Sequence, residues 1–166
     1  TTEIYTLSLH DALPISNHVL IEGDNLNALA ALTYAYAGKI DVIYIDPPYN
    51  TGNKDFIYND SFVDKDDSFR HSKWLSFMSR RLIVSKNLLA DNGVIFISID
   101  DNEQAQLKLL CDKLFGANNY IAQFIWKKKQ GGGNDSSNVV TEHEYVLCYA
   151  KDRKSTRLNS SHGYIS

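Results

Sequence analysis

The chain has 166 residues, 43% of them hydrophobic and 22% charged, enough apolar content for one domain with a genuine core. Its 17 Lys+Arg against 20 Asp+Glu give a formal charge of −3, which excludes a broadly basic surface, so any nucleic-acid footprint must be local. The 2 cysteines form no spaced metal or redox motif, and no apolar run approaches the roughly 20 residues of a membrane span; the expectation is a soluble, cytoplasmic protein with reduced core cysteines.

Thr1 to Ile15 (TTEIYTLSLHDALPI) resembles a translated reading frame of a short-read sequencing adapter, and Asp152 to His162 (DRKSTRLNSSH) resembles one of the partner adapter. The expected organisation is a non-native segment at 1–15, part of a catalytic domain over 16–151 and a second non-native segment at 152–166. His18-Val-Leu-Ile21 then predicts a short strand, and Asp24 or Asn25 a cap for a helix running to about Ala37 and closed by Gly38. Asp41 to Ile45 predicts a buried strand, so strand, helix and strand should form a parallel unit. The polar stretch from Asn53 to Asp67 shows no periodicity and predicts a long loop.

A helix is predicted from about Ser68 to Leu89, with Leu75, Met78, Leu82 and Leu89 facing the core and Arg80, Arg81 and Lys86 on a solvated face. Val94 to Ile99 predicts a third buried strand. Asp101 is placed to cap a helix carrying Leu107, Leu110, Cys111 and Leu114 at helical spacing, with Gly116 beyond its end. Tyr120–Trp126 and Tyr145–Ala150 predict two last strands, joined through KKKQGGGNDSS. Lys127, Lys128 and Lys129 beside Trp126 either grip a DNA backbone or simply solvate a linker and discourage edge pairing. His143, with no second His at metal spacing, reads as a hydrogen-bonded strand-end residue, and no metal is expected.

Asp46-Pro47-Pro48-Tyr49 stands where the 41–45 strand ends, the edge at which open α/β sheets bind ligands. Asp and Pro also make ordinary turns, so the tetrapeptide alone leaves that reading open. Its chemistry nevertheless suits methylation of an exocyclic amine on a nucleic-acid base. Such an amine is a poor nucleophile because its lone pair is delocalised into the ring. A carboxylate (Asp46) and a main-chain carbonyl (Pro47) accepting its two hydrogens localise that pair. Pro48 removes a competing donor and restricts the residue before it. Tyr49 offers a flat face for an extruded base.

The segments VLIEGDNLNAL (19–29), GKIDVIYIDPPYNTG (38–52), SFMSRRLIVSKNLLADNGVIFISIDDNE (76–103) and IAQFIWKKKQGGGNDSS…HEYVLCYAK (121–151) together resemble adenine-specific DNA methyltransferases, above all the modification subunits of type III restriction–modification systems. The resemblance implies an α/β chain with part of a Rossmann-like, S-adenosylmethionine-dependent methyltransferase fold, its sheet mostly parallel with an antiparallel final strand. It implies S-adenosylmethionine as methyl donor and N6 of a flipped adenine in double-stranded DNA as acceptor. A restriction subunit and a second modification subunit are implied as partners. Carried over by residue, Asp46, Pro47, Pro48 and Tyr49 are catalytic, and Asp24 and Asp46 bind cofactor. Asp24 also suits helix capping. Asn50 either approaches DNA or shapes the turn. The family's Phe-x-Gly-x-Gly cofactor loop is missing from the sequence, so the chain alone is expected to bind cofactor weakly and not to methylate. An N4-cytosine methyltransferase and a non-catalytic DNA-binding or assembly module are the alternatives.

Overall fold

The computed structural model describes the backbone of residues 4–7 together with residues 18–128 and 142–156. Most of the adapter-like ends, Lys129 and the run Gly131-Gly132-Gly133 lie outside the described residues. Elements follow in the order β1 (Ile4–Leu7), β2 (His18–Ile21), α1 (Asn25–Tyr36), β3 (Ile40–Ile45), β4 (Ile57–Tyr58), β5 (Ser61–Phe62), α2 (Arg70–Leu88), β6 (Leu89–Ile99), α3 (Gln104–Phe115), β7 (Tyr120–Lys127) and β8 (His143–Ala150).

The main sheet has the order β3-β6-β8-β7. β3 and β6 run parallel, with Ile43 opposite Ile95 and Ile45 opposite Ile97, while β8 lies antiparallel between β6 and β7. Three strands therefore point one way and the final strand of the chain runs against them, as expected for this α/β fold. Gly93 sits where the β3–β6 register shifts. A Cβ there would stand 2.8 Å from the Ile40 carbonyl oxygen and 2.9 Å from that of Ala90, so only glycine lets the two strands close.

One face of this sheet is the core side. Ile95, Ile97, Ile99, Leu147 and Tyr149 pack there against Trp74, Met78 and Leu82 of α2 and against Leu107, Cys111 and Phe115 of α3. The α2 stripe at 74, 78, 82, 85 and 88 follows the i, i+4, i+3 spacing of one helix face. On the opposite face, among the described residues, Val94, Cys148 and Ala150 form a small buried cluster, with Phe96 and Ile121 against it. Val42, Tyr44, Phe124 and Trp126 remain exposed.

Several expectations change. β2 does not join β3; it pairs antiparallel with β1, Ile4 opposite Ile21, so no parallel β2–α1–β3 unit forms among the described residues. A four-residue strand must still satisfy its main-chain groups, and here it does so against β1. The expected loop after Asn53 contains the β4–β5 hairpin, turned by Asn59 and Asp60 at φ 49° and 62°. Phe56 and Val63, at the hairpin's two ends, are buried in the main core. Asp24 caps α1, its Oδ1 accepting the Asn27 N–H at 3.0 Å. Asp101 does not cap α3: it accepts the Tyr145 hydroxyl at 2.8 Å, and Glu103 stands at the cap position without a side-chain capping bond.

The basic residues of α2 are not all solvated. Arg81 stacks 3.4 Å above the Phe77 ring and donates to Asn25 Oδ1 at 2.8 Å, and Lys86 donates to the Leu114 carbonyl at 2.6 Å. These cations tie α2 to the helices beside it. Cys111 and Cys148 are free and buried, and burial pushes their thiols up to about 12 and about 11. No helix among the described residues is long and apolar enough to cross a membrane.

Candidate active site

Residues 46–50 leave the carboxyl end of β3 directly after Ile45, whose partner Ile97 fixes the height of the loop above the sheet. Pro47 is buried, Tyr49 half-buried and Asp46 exposed. Trp74, fully buried in α2, donates its indole N–H to the Pro48 carbonyl at 2.7 Å. Among the described residues nothing donates to the Pro47 carbonyl, so of the two proline carbonyls it is the one without a partner.

Two cavities meet at this loop. One, of about 250 Å³, is lined by Tyr44, Asp46, Tyr49, Ser98, Trp126, Glu144, Tyr145 and Val146. The other, wider open, is lined by Asp46, Pro47, Tyr49, Thr51, Asp55 and Glu144. Asp46, Tyr49 and Glu144 line both. The smaller volume lies near the lower bound of roughly 300 Å³ for ligand clefts and suits one flat heterocycle among aromatic walls.

The electrostatics are acidic. Burial raises the Tyr49 phenol well above the usual tyrosine range, and the negative charges of Asp46 and Glu144 raise it further. Tyr49 donates to Glu144 Oε2 at 3.4 Å, while Lys128 forms an ion pair with the other oxygen of that carboxylate. Tyr145 is held by His143 Nε2 at 3.0 Å and by Asp101, which makes His143 the strand-end residue its sequence context suggests. Among the described residues no group of three His, Cys, Asp or Glu could hold a metal ion.

Behind the loop lies a second network. Asn50 is 1% exposed and takes φ 58°; its Nδ2 donates to Glu103 Oε1 at 2.5 Å and to the Arg70 carbonyl at 3.3 Å. His71 Nδ1 meets the same Glu103 oxygen at 2.7 Å. Arg70 Nε faces His71 Nε2 at 3.3 Å, and Gln106 Nε2 stands 3.4 Å from His71 Nδ1.

The expected site residues therefore do not all come together. Asp46, Pro47 and Tyr49 share one site, with Pro48 anchoring it. Lys128 reaches that site through Glu144, whereas Lys127 ends β7 in an exposed position and Lys129 lies outside the described residues. Asn50 is turned into the interior, which favours turn shaping over contact with DNA. Asp24 lines neither cavity and is engaged in capping. The residues present suit an amine acceptor at Asp46 and Pro47.

Glu144, Trp74 and Glu103 were not singled out from sequence. Trp74 could have been found four residues before Met78 on the same stripe. Glu103 offered no signal beyond its place in an acidic strand end.

Residues 40–163 match the model of a family described as DNA methylase, in the N6/N4 methyltransferase group. The EcoP15I Mod subunit, a type III restriction–modification enzyme of Escherichia coli, is 41% identical over 162 residues, covering 84% of this chain and 25% of that protein. The StyLTI Mod subunit of Salmonella typhimurium is 43% identical over 157 residues, covering 82% and 24%. The chain thus spans about a quarter of the length of these relatives. Among solved structures, TTHA0409 of Thermus thermophilus, described as a DNA modification methylase, shares the fold at TM-score 0.58 and 19% identity, covering 84% of this chain and 54% of that one. With the family model matching well over half its length, and with Asp46-Pro47-Pro48-Tyr49 placed at a sheet-edge cleft, this chain belongs to the N6/N4 DNA methylase family.

Proposed function

We propose that this chain carries the acceptor-binding half of an adenine-specific DNA methyltransferase that moves a methyl group from S-adenosylmethionine to N6 of an adenine flipped out of double-stranded DNA. One observation carries the reading: a carboxylate and an unclaimed carbonyl, Asp46 and Pro47, line one open cavity together, and Asp46 and Tyr49 also line the aromatic-walled cavity beside it. S-adenosylmethionine, when bound, supplies an electrophilic methyl group. The chain's own residues prepare the amine. The Asp46 carboxylate and the Pro47 carbonyl accept its two hydrogens, favouring a pyramidal nitrogen with a localised lone pair. Trp74 keeps the Pro48 carbonyl out of that competition. Tyr49 holds the base by its face, and exposed Asp46 passes the surplus proton to solvent.

Adenine is favoured by the likeness to type III Mod subunits at 41% and 43% identity and by the Asp, not Ser, that opens the tetrapeptide. The fold does not decide between bases: the cytosine-N4-specific PvuII DNA methyltransferase shares it at TM-score 0.54 and 12% identity. A likeness to TTHA0409 complexed with S-adenosyl-L-methionine, at TM-score 0.57 and 20% identity, supports the donor. The Mod relatives, named as subunits of restriction–modification enzymes, support a restriction subunit as a partner, and an enzyme acting on DNA would work in the cytoplasm.

The test is transfer of tritiated methyl groups to synthetic duplexes by this chain completed with the remaining length of a type III Mod relative, followed by analysis of the modified nucleosides. N6-methyladenine is expected, with Asp46→Ala lowering the rate by about 10³-fold, the cost of an electrostatic group at the reacting atom, while duplex binding persists. Labelled N4-methylcytosine would redirect the assignment. Undiminished transfer by the Asp46→Ala protein would remove the catalytic reading.

A further inference from the structure

We propose that Glu103 is a positioning residue for the Asp46-Pro47-Pro48-Tyr49 loop, acting on it through Asn50. The proposal rests on the methyl-transfer reading for what the loop does, and on geometry alone for the clamp itself.

Glutamate is rarely interior, because a carboxylate out of water is costly unless its oxygens are bonded. Glu103 is 0% exposed, makes no capping bond to α3, and has one oxygen, Oε2, with no partner among the described residues. Its other oxygen meets two partners from two different elements, the Asn50 amide at 2.5 Å from the loop and His71 Nδ1 at 2.7 Å from the first turn of α2. Neither helix capping nor an exposed ion pair accounts for it. What it secures is the turn at Asn50, a left-handed conformation that costs a non-glycine residue free energy.

The turn matters because of its place. The upstream end of the loop is fixed by β3 pairing with β6, Ile45 opposite Ile97. The downstream end is attached through Trp74 to the Pro48 carbonyl, through the Tyr49 hydroxyl to Glu144, and through Asn50 to Glu103 and the Arg70 carbonyl. Asp46 and Pro47 lie between these anchors. An amine must be met within a few tenths of an ångström to gain from both acceptors, so the downstream anchor sets the aim of groups that Glu103 never touches.

The test compares Glu103→Ala, Glu103→Gln and Asn50→Gly in the full 166-residue chain by hydrogen exchange. The Trp74 indole proton reports the loop and the Ile95 and Ile97 amides report the core. Losing hydrogen bonds to a charged group should accelerate Trp74 exchange at least about tenfold relative to those amides in Glu103→Ala. Asn50→Gly keeps the turn conformation but loses the amide, and should match it; the double variant should be no worse than either single one. Glu103→Gln, which keeps an acceptor at Oε1, should stay near the parent. Equal acceleration of indole and core amides would mean a purely structural role and would overturn the proposal, as would an unmoved Trp74 proton. No cofactor or DNA enters this measurement, so its failure strikes the clamp and leaves the methyl-transfer reading to the Asp46→Ala assay. In the completed enzyme Glu103→Ala should lower kcat with both KM values held; an unchanged kcat would equally overturn it.

Discussion

Replacing Trp74 by Phe tests whether the catalytic loop is fastened to the core rather than merely near it. Trp74 is 0% exposed and its indole N–H donates to Pro48 at 2.7 Å. The substitution keeps an aromatic ring in the cluster but removes that donor. The lost bond costs about 1 kcal/mol, the carbonyl left without a partner about 1–3 kcal/mol, and the unfilled part of the indole site adds to both. A destabilisation of about 2–4 kcal/mol follows, a large fraction of the roughly 5–15 kcal/mol that holds a domain together. Urea denaturation of the full chain, followed by far-ultraviolet circular dichroism, should show a midpoint lower by about 1–2 M at an m-value of about 2 kcal/mol/M. Trp126→Phe is the control: that residue is 66% exposed, and its substitution should stay within about 0.5 kcal/mol. If Trp74→Phe matched the control, the loop would not be anchored by this bond.

Gly93→Ala should destabilise the chain by about 1–3 kcal/mol, because a Cβ 2.8 Å from the Ile40 carbonyl oxygen forces β3 and β6 apart; a thermal melt equal to the parent's would refute the steric argument. The buried thiols make stability pH-dependent with a definite sign. The unfolded chain releases the Cys111 proton near the ordinary 9.0, whereas the folded chain holds it to about 12, so this contribution is intact below pH 9 and declines as pH rises toward 12. Urea midpoints at pH 8 and pH 10 should show the decline, and Cys111→Ala should reduce it. At pH 8, iodoacetamide should label neither Cys111 nor Cys148 until urea is added; fast native labelling would show the thiols to be accessible. Tyr49 should keep its proton above the ordinary tyrosine range, and Tyr49→Phe should remove one high-pH component from an ultraviolet titration.

Legibility in the sequence followed the strength of local patterns. β3, α2, β6 and α3 were readable because apolar residues recur at strand or helix spacing, and the loop at Asp46 was readable because two prolines must stop the strand that precedes it. The β4–β5 hairpin was missed because its strands have two residues each, too few for alternation to show, although Asn59-Asp60 is a suitable turn pair. The pairing of β2 could not be read from a four-residue strand whose partner is decided by tertiary contacts. Asp46, Pro47 and Tyr49 share a local motif and could be grouped from sequence. Glu144 meets Tyr49 from 95 residues away and Glu103 meets Asn50 from 53, through contacts that only the folded chain makes.

The uncovered side of the main sheet has a practical consequence. Val42, Tyr44, Phe124 and Trp126 present a greasy plane to solvent, and β3 adds an outer rim with no neighbouring strand among the described residues. Such a plane drives self-association unless something lies across it. Expression and crystallisation trials should therefore supply a cover, either more of the polypeptide or a mild detergent, and should expect turbidity to rise with concentration where they do not.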